Sequence, residues 1–279
     1  MLKTRIITAI VLFIGFTAAL FTASDLVWSL ITLAATILAV WEWSNLIKLN
    51  KHQMYFAVSS ALVVGLTITF ASKLAITLPL SLYIDEWIFA LLGISTIFWV
   101  VLSPIWLITR KKINHKFILS ALGLLLLLAT WVALDGLHNI SPWMLLGILG
   151  TVWLADSAAY FAGKKFGRHK LAPEISPGKT WEGVAGAILA ATLYGLLLNH
   201  YLFYSHWIIV GLWLIVILSV MGDLFESLLK RQAGVKDSSH LLPGHGGVLD
   251  RIDGLISTLP LVLFYIYFPL FSSLQLHGR

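Results

Sequence analysis

Apolar positions in this chain run in long unbroken stretches, and stretches close to 20 residues recur from one end to the other. A helix that crosses a bilayer needs about 20 mostly apolar residues. Nine stretches meet that length, at about 5–23, 26–47, 54–72, 86–108, 117–134, 142–162, 182–199, 206–225 and 254–272. Short alternating segments, the mark of an outer-membrane barrel, are not the pattern here. The first stretch follows Lys3 and Arg5 as a signal peptide would. The second begins almost at once, so the first is read as a retained helix. The pattern therefore predicts an all-α polytopic membrane protein with about nine transmembrane helices.

Composition agrees and narrows the choice. Of 279 residues, 59% are hydrophobic and only 11% charged, against about 25% charged in ordinary soluble domains. That supply cannot cover a globule with polar surface, which excludes a soluble enzyme, a disordered chain and a fibrous repeat. Cysteine is absent, which removes disulfides, thiol catalysis and thiolate-bound zinc together.

The net charge of +6 suggests nucleic acid until the bases are placed along the chain. With the N-terminus cytoplasmic, 17 of the 19 Lys and Arg fall on one side and only Lys73 and Arg279 on the other. The positive-inside rule predicts such an asymmetry, and one span more or fewer would scramble it. The expected topology has the N-terminus in the cytoplasm and the C-terminus across the membrane. No nucleic-acid partner is expected.

No tandem repeat or separate soluble domain is visible, so residues 1–279 are read as a single integral membrane domain. Its chemistry is uneven. Residues 1–150 carry five acids, mostly in predicted outer loops, and 151–253 carry the other eight, near the cytoplasmic side. The first part reads as scaffold, 151–253 as catalytic helices and loops, and 254–279 as the last helix and tail.

Within 151–253, Asp223 and Glu226 lie one helical turn apart. Asp250 and Asp253 repeat that spacing where the ninth stretch begins. Both ends of the intervening loop meet the same membrane surface, so the two acid pairs can converge. A charged group at the centre of a membrane helix costs about 2.5–3.5 kcal/mol, and gathered acids repel unless cations neutralise them. One reading is an oxygen-donor site for Mg²⁺, which takes one or two carboxylates plus substrate phosphates. The other is a set of interfacial acids paired with Lys230, Arg231 and Arg251. Glu226 is set aside as a paired acid. Between the pairs stand Lys230, Arg231, Lys236 and the turn 243–247, Pro-Gly-His-Gly-Gly. Glycines let backbone amides approach an anion, and Lys and Arg supply charge for phosphates.

A second loop carries Asp156 and Ser157, then Ser176-Pro177-Gly178-Lys179-Thr180-Trp181-Glu182-Gly183. A P-loop would need glycine where Pro173 stands, and no strand precedes it. Ser176 and Lys179 remain candidates to meet a phosphate at the start of the seventh stretch, against a plain helix cap with an inside-positive lysine. Elsewhere, Glu42 between Trp41 and Trp43 reads as part of an interfacial belt. His138, His200 and His206 read as solvated outer-loop residues. Gly183, Gly186, Ala187 and Ala190 read as helix packing.

Residues 227–253 resemble the signature of the phosphatidate cytidylyltransferases, the CDP-diacylglycerol synthases: Ser227, Lys230-Arg231, Lys236-Asp237, His245-Gly246-Gly247 and Asp250-Arg251-x-Asp253. Residues 156–183 are similar to that family's second conserved region, and depart from it at Ala158, where glycine is expected. The motifs lie only in the second half of the chain. The resemblance implies reaction of CTP with phosphatidic acid to give CDP-diacylglycerol and pyrophosphate at a bacterial inner membrane, with the site facing the cytoplasm. It implies Asp223, Asp250 and Asp253 as ligands of Mg²⁺, with one ion or two left open. Lys230, Arg231, Lys236, His245 and Arg251 would contact phosphates of CTP or lipid, and Ser176 and Lys179 the lipid phosphate. A homodimer is compatible with it. The rivals are a CTP-using polyprenol or phytol kinase, which would release CDP, an archaeal-type lipid cytidylyltransferase, and a transporter.

Overall fold

The computed structural model describes residues 2–74, 80–202, 206–242, 244 and 246–268. Ten α-helices follow in chain order: α1 (Leu2–Thr22), α2 (Asp25–Leu46), α3 (Lys51–Leu74), α4 (Leu80–Ile97), α5 (Ser103–Thr109), α6 (Lys116–Ile140), α7 (Pro142–Phe166), α8 (Trp181–Leu202), α9 (Trp207–Ala233) and α10 (Leu249–Tyr267). Each of the nine predicted stretches is helical over all but at most one of its described residues, with α4, α5 and the turn between them making up the fourth. Seven of the described helical segments are long and apolar enough to cross a membrane: Asp25–Leu46, Lys51–Ala71, Glu86–Thr109, Lys116–Ile140, Pro142–Phe166, Trp181–Tyr201 and Trp207–Ala233. Residues 269–272 of the ninth predicted stretch lie outside the described residues.

Local chemistry sets several boundaries. Ser24 caps α2 by accepting from the Val27 amide. Ser141 does the same for α7 through Met144, with Pro142 in the first turn, where its missing N–H costs nothing. Gly234, at φ +81°, ends α9 in the left-handed region. Phe98–Leu102, between α4 and α5, is π-helical just before Pro104, whose missing N–H interrupts the α ladder there.

One element was not expected. Lys170–Ala172 (β1) and Ser176–Thr180 (β2) form an antiparallel hairpin, and β2 runs directly into α8. Ser176 and Lys179 therefore lie on a strand rather than in a helix cap.

The core is aromatic and lies between helices. Phe225 of α9 receives Phe98, Trp99 and Trp106 at centroid distances of 5.3–5.4 Å, all near edge-on. His138 is buried, contrary to its expected place in a solvated loop. Its imidazole stacks on Trp28 at 4.5 Å, and Nε2 lies 3.0 Å from the Leu20 carbonyl. Large apolar side chains such as Phe56, Ile108 and Leu189 point outward, as lipid-facing helices require.

Two packing contacts set the geometry of the site. α7 packs along α8, where a Cβ at Gly183 would stand 2.9 Å from the Ala159 carbonyl and one at Gly186 would run into Ala162. α9 packs on α10, where a Cβ on Gly222 would overlap the Asp253 carbonyl and one on Gly254 would stand 2.5 Å from Ser219 Oγ. Small residues at both crossings let the backbones approach closely.

Candidate active site

The close crossing of α9 and α10 places Asp223, next to Gly222, beside Asp253, next to Gly254. Asp156 of α7 completes a group of three carboxylates within Coulombic reach of one another, with Lys179 and Arg251 as cations in the same field. Lys179 reaches across from the hairpin. Its Nζ lies 2.6 Å from Asp223 Oδ2 and 3.5 Å from the Val220 carbonyl. Ser227 donates to Asp223 Oδ1 at 3.2 Å, and the Gly254 amide to Asp253 Oδ1 at 2.8 Å.

A second group stands one turn away. Lys230 Nζ, 12% exposed, lies 2.6 Å from both Glu226 Oε2 and Asp250 Oδ1. Asp250 Oδ2 accepts three further bonds, from the Ser238 amide (2.9 Å), Ser238 Oγ (2.8 Å) and the Gly247 amide (2.8 Å). The other oxygen of Glu226 is buried without a hydrogen-bond partner, in the field of Asp253 and Asp250.

The third group holds the loop from beneath. Glu42 of α2 is fully buried, with Oε1 accepting from Ser239 Oγ (2.5 Å) and the Val248 amide (3.0 Å). Its Oε2 accepts from Ser238 Oγ (3.2 Å) and the Leu249 amide (2.7 Å). The interfacial-belt expectation for Glu42 is thus overturned: the carboxylate points into the protein. The only signal the sequence offered was an acid inside an apolar stretch, which is a functional candidate by default.

The predicted residues therefore separate. Asp223, Asp253 and Lys179 come together, with Asp156 added. Asp250 joins Lys230 instead, and its hydrogen bonds leave little room for another ligand. Arg231 is exposed, with Nε donating to the Ile175 carbonyl at 3.4 Å. Ser176 pairs with Ala172 in the hairpin, and Lys236 and Arg251 are exposed. His245 lies outside the described residues.

The amides of Gly247, Val248 and Leu249 all bond to the carboxylates of Asp250 and Glu42. They are not open to a phosphate, so the expected backbone nest is not formed by those three. A cavity of about 670 Å³, lined by Glu86, Trp131, Asp135, Asn139 and Tyr267 among others, sits at the far end of α6 and α10 from these acids.

Among the described residues, no group of three or more His, Asp or Glu side chains is arranged to hold a metal ion by itself. The donor chemistry nevertheless suits a hard cation at Asp223 and Asp253. Both offer carboxylate oxygens in a shared field, and Mg²⁺ fills its remaining positions with water and substrate phosphates.

Known proteins resemble this chain over most of its length. The phosphatidate cytidylyltransferase of Haemophilus influenzae is 35% identical over 300 residues, which cover 97% of this chain and 100% of that protein. The Pseudomonas aeruginosa phosphatidate cytidylyltransferase is 34% identical over 272 residues, covering 93% and 95%. That of Staphylococcus aureus strain COL reaches 44% over 131 residues, 46% of this chain and 48% of its own. With the family profile matching residues 3–269, the chain belongs to the cytidylyltransferase family.

Proposed function

We propose that this protein transfers the cytidylyl group of CTP to phosphatidic acid, releasing pyrophosphate and leaving CDP-diacylglycerol in the membrane. The observation that carries the reading is the meeting of Asp156, Asp223 and Asp253 with Lys179, which brings α9 and α10 together with α7 and the hairpin. Full-length relatives that bear the name phosphatidate cytidylyltransferase support it.

The reaction asks little of a general base. A phosphate monoester has its second pKa near 6, so the phosphatidate oxygen is already a nucleophile at neutral pH. It attacks the α-phosphorus of CTP, one P–O bond forms, and the bond to pyrophosphate breaks. The obstacle is repulsion between anions, and positioning and charge stabilisation overcome it. Asp223 and Asp253 would hold a divalent cation, which would supply Lewis-acid neutralisation of the phosphates. Lys179 and Ser176, on the same strand, take the lipid phosphate. Arg231, Lys236 and Arg251, exposed around the loop, draw in and orient CTP, and His245 belongs to the same loop. Lys230, committed to Glu226 and Asp250, fixes the loop to α9. Asp250 then acts by holding that loop in place rather than as a metal ligand.

The topology that fits has the N-terminus in the cytoplasm of a bacterium and the site at the inner face of its cytoplasmic membrane. CTP enters from the cytosol there and phosphatidate laterally from the bilayer. Incubation of purified protein with CTP, Mg²⁺ and phosphatidate should give pyrophosphate and CDP-lipid in equal amounts. A CTP-dependent kinase would release CDP instead, and folded protein that makes neither product would overturn the assignment.

A further inference from the structure

We propose that Glu42 is a positioning residue for CTP: its buried carboxylate holds Ser238, Ser239, Val248 and Leu249, the two ends of the loop, in the arrangement that binds the nucleotide. The proposal rests on the reading that this loop faces CTP. It comes from a helix that carries none of the motifs.

Four donors converge on Glu42, and all of them belong to one segment: the hydroxyls of Ser238 and Ser239 and the amides of Val248 and Leu249. Ser238 and Ser239 start the segment and Val248 and Leu249 end it, so one carboxylate closes the loop at its base. Leu249 is also the first residue of α10, whose unpaired N-terminal amides favour an anion. Glu42 thereby fixes where α10 begins, one residue before Asp250 and four before Asp253.

The fit admits no side chain between them. A Cβ on Gly247 would collide with Glu42 Oε1 and with Ser238 Oγ. Glu42 and Asp250 are further linked, since Ser238 Oγ lies 3.2 Å from one carboxylate and 2.8 Å from the other. Lys230 grips the second of these from α9. The loop is thus suspended between α2 and α9, with Lys236 and Gly244 on its exposed side.

Loosening such a loop has a distinctive kinetic consequence. A ligand that binds only the ordered form has its apparent Kd raised by the inverse of the ordered fraction, whereas the complex at saturation is unaltered. Loss of Glu42 therefore raises KM for CTP and spares kcat. A merely structural defect would reduce the amount of active enzyme and leave KM alone.

The test compares wild type with Glu42→Gln in full-length purified protein, measuring kinetics and hydrogen exchange in parallel. The amide side chain keeps the size but faces N–H donors with an N–H₂. KM for CTP should rise about tenfold or more, in line with loss of hydrogen bonds to a charged group. At saturating CTP, kcat should stay close to wild type, and KM for phosphatidate should not move. The amides of Val248 and Leu249 should exchange faster, with those of Ser176–Thr180 unchanged.

Unaltered exchange at Val248 and Leu249, or a fall in kcat at constant KM, would overturn the proposal. If Glu42→Gln does not fold, Ser239→Ala removes one of the four donors and should shift KM and exchange in the same directions by less. No shift in either would equally refute the idea. Should wild type form no CDP-lipid, the assigned reaction fails, and exchange at Val248 and Leu249 still decides whether Glu42 holds the loop.

Discussion

Lys179 and Asp223 meet at 2.6 Å across the gap between the hairpin and α9. The contact ties the only sheet among the described residues to the carboxylate group, and it joins two sequence regions separated by α8. Lys179 neutralises part of the acid group directly, and β2 aims it there.

Substituting either partner should therefore cost activity in a way that does not add. Lys179→Gln and Asp223→Asn are each expected to lower kcat/KM by about 10²–10³, typical of losing one charge-stabilising group. The double variant should fall well short of the product of the two losses, because the groups act as a unit. Steady-state kinetics on the three proteins check this, and full additivity would show that the two act independently.

Asp250 and Asp253 should part company when substituted. Asp253→Asn, in the acid group, should raise the Mg²⁺ concentration needed for half-maximal rate. Asp250→Asn should instead weaken the loop and lower stability by about 1–3 kcal/mol, as when a buried donor loses its partner. Metal titration of the rate and thermal unfolding in detergent separate the two. A large shift in Mg²⁺ requirement for Asp250→Asn would return that residue to the metal.

Two glycines of α9 provide a matched comparison. Gly222→Ala would push a methyl into the Asp253 backbone and Ser257, whereas a methyl at Gly211 meets no atom within 4 Å. The first should destabilise by about 1–3 kcal/mol, as overpacking does, and should cost activity by shifting Asp253. The second should be neutral or stabilise by up to about 1 kcal/mol, from helix propensity. Thermal unfolding of both variants gives the answer, and equal effects would sink the packing argument.

The surface pair Arg110–Glu174 should contribute little. Arg110 beside it holds the Glu174 carboxyl below the usual carboxylate range, and Glu174 raises the guanidinium in turn. A depressed carboxylate stabilises the fold above its unfolded pKa, and that stabilisation is lost as pH falls through the folded value. Both groups are solvent-exposed and salt screens them. Glu174→Gln should leave the melting temperature unchanged near neutral pH at physiological salt. Any difference should emerge only at low ionic strength above the unfolded carboxylate pKa and vanish under acid, and a clear neutral-pH loss at physiological salt would contradict this.

The helices were legible because a bilayer-length apolar run has few alternative structures. The acid and basic motifs were legible because charge is scarce enough here to stand out. The hairpin was not, since Lys170–Ala172 is only three residues long and Ser176–Thr180 contains proline and glycine without alternation. Glu42 escaped because its partners lie about 200 residues away, between Ser238 and Leu249. His138 escaped for the same reason, with its carbonyl partner at Leu20. The i, i+3 spacing of Asp250 and Asp253 suggested one shared site. In the fold, Lys230 and three loop donors take the first of them while the second turns to Asp223.

The span of those contacts also orders the birth of the enzyme. Glu42 emerges from the ribosome early, but the groups that donate to its carboxylate are made some two hundred residues later, just before α10 and at its start. Until that helix is inserted, a nascent chain holds an unmatched carboxylate in its second helix and lacks Asp253. A chain truncated ahead of Ser238, before α10, keeps Glu42 without its partners.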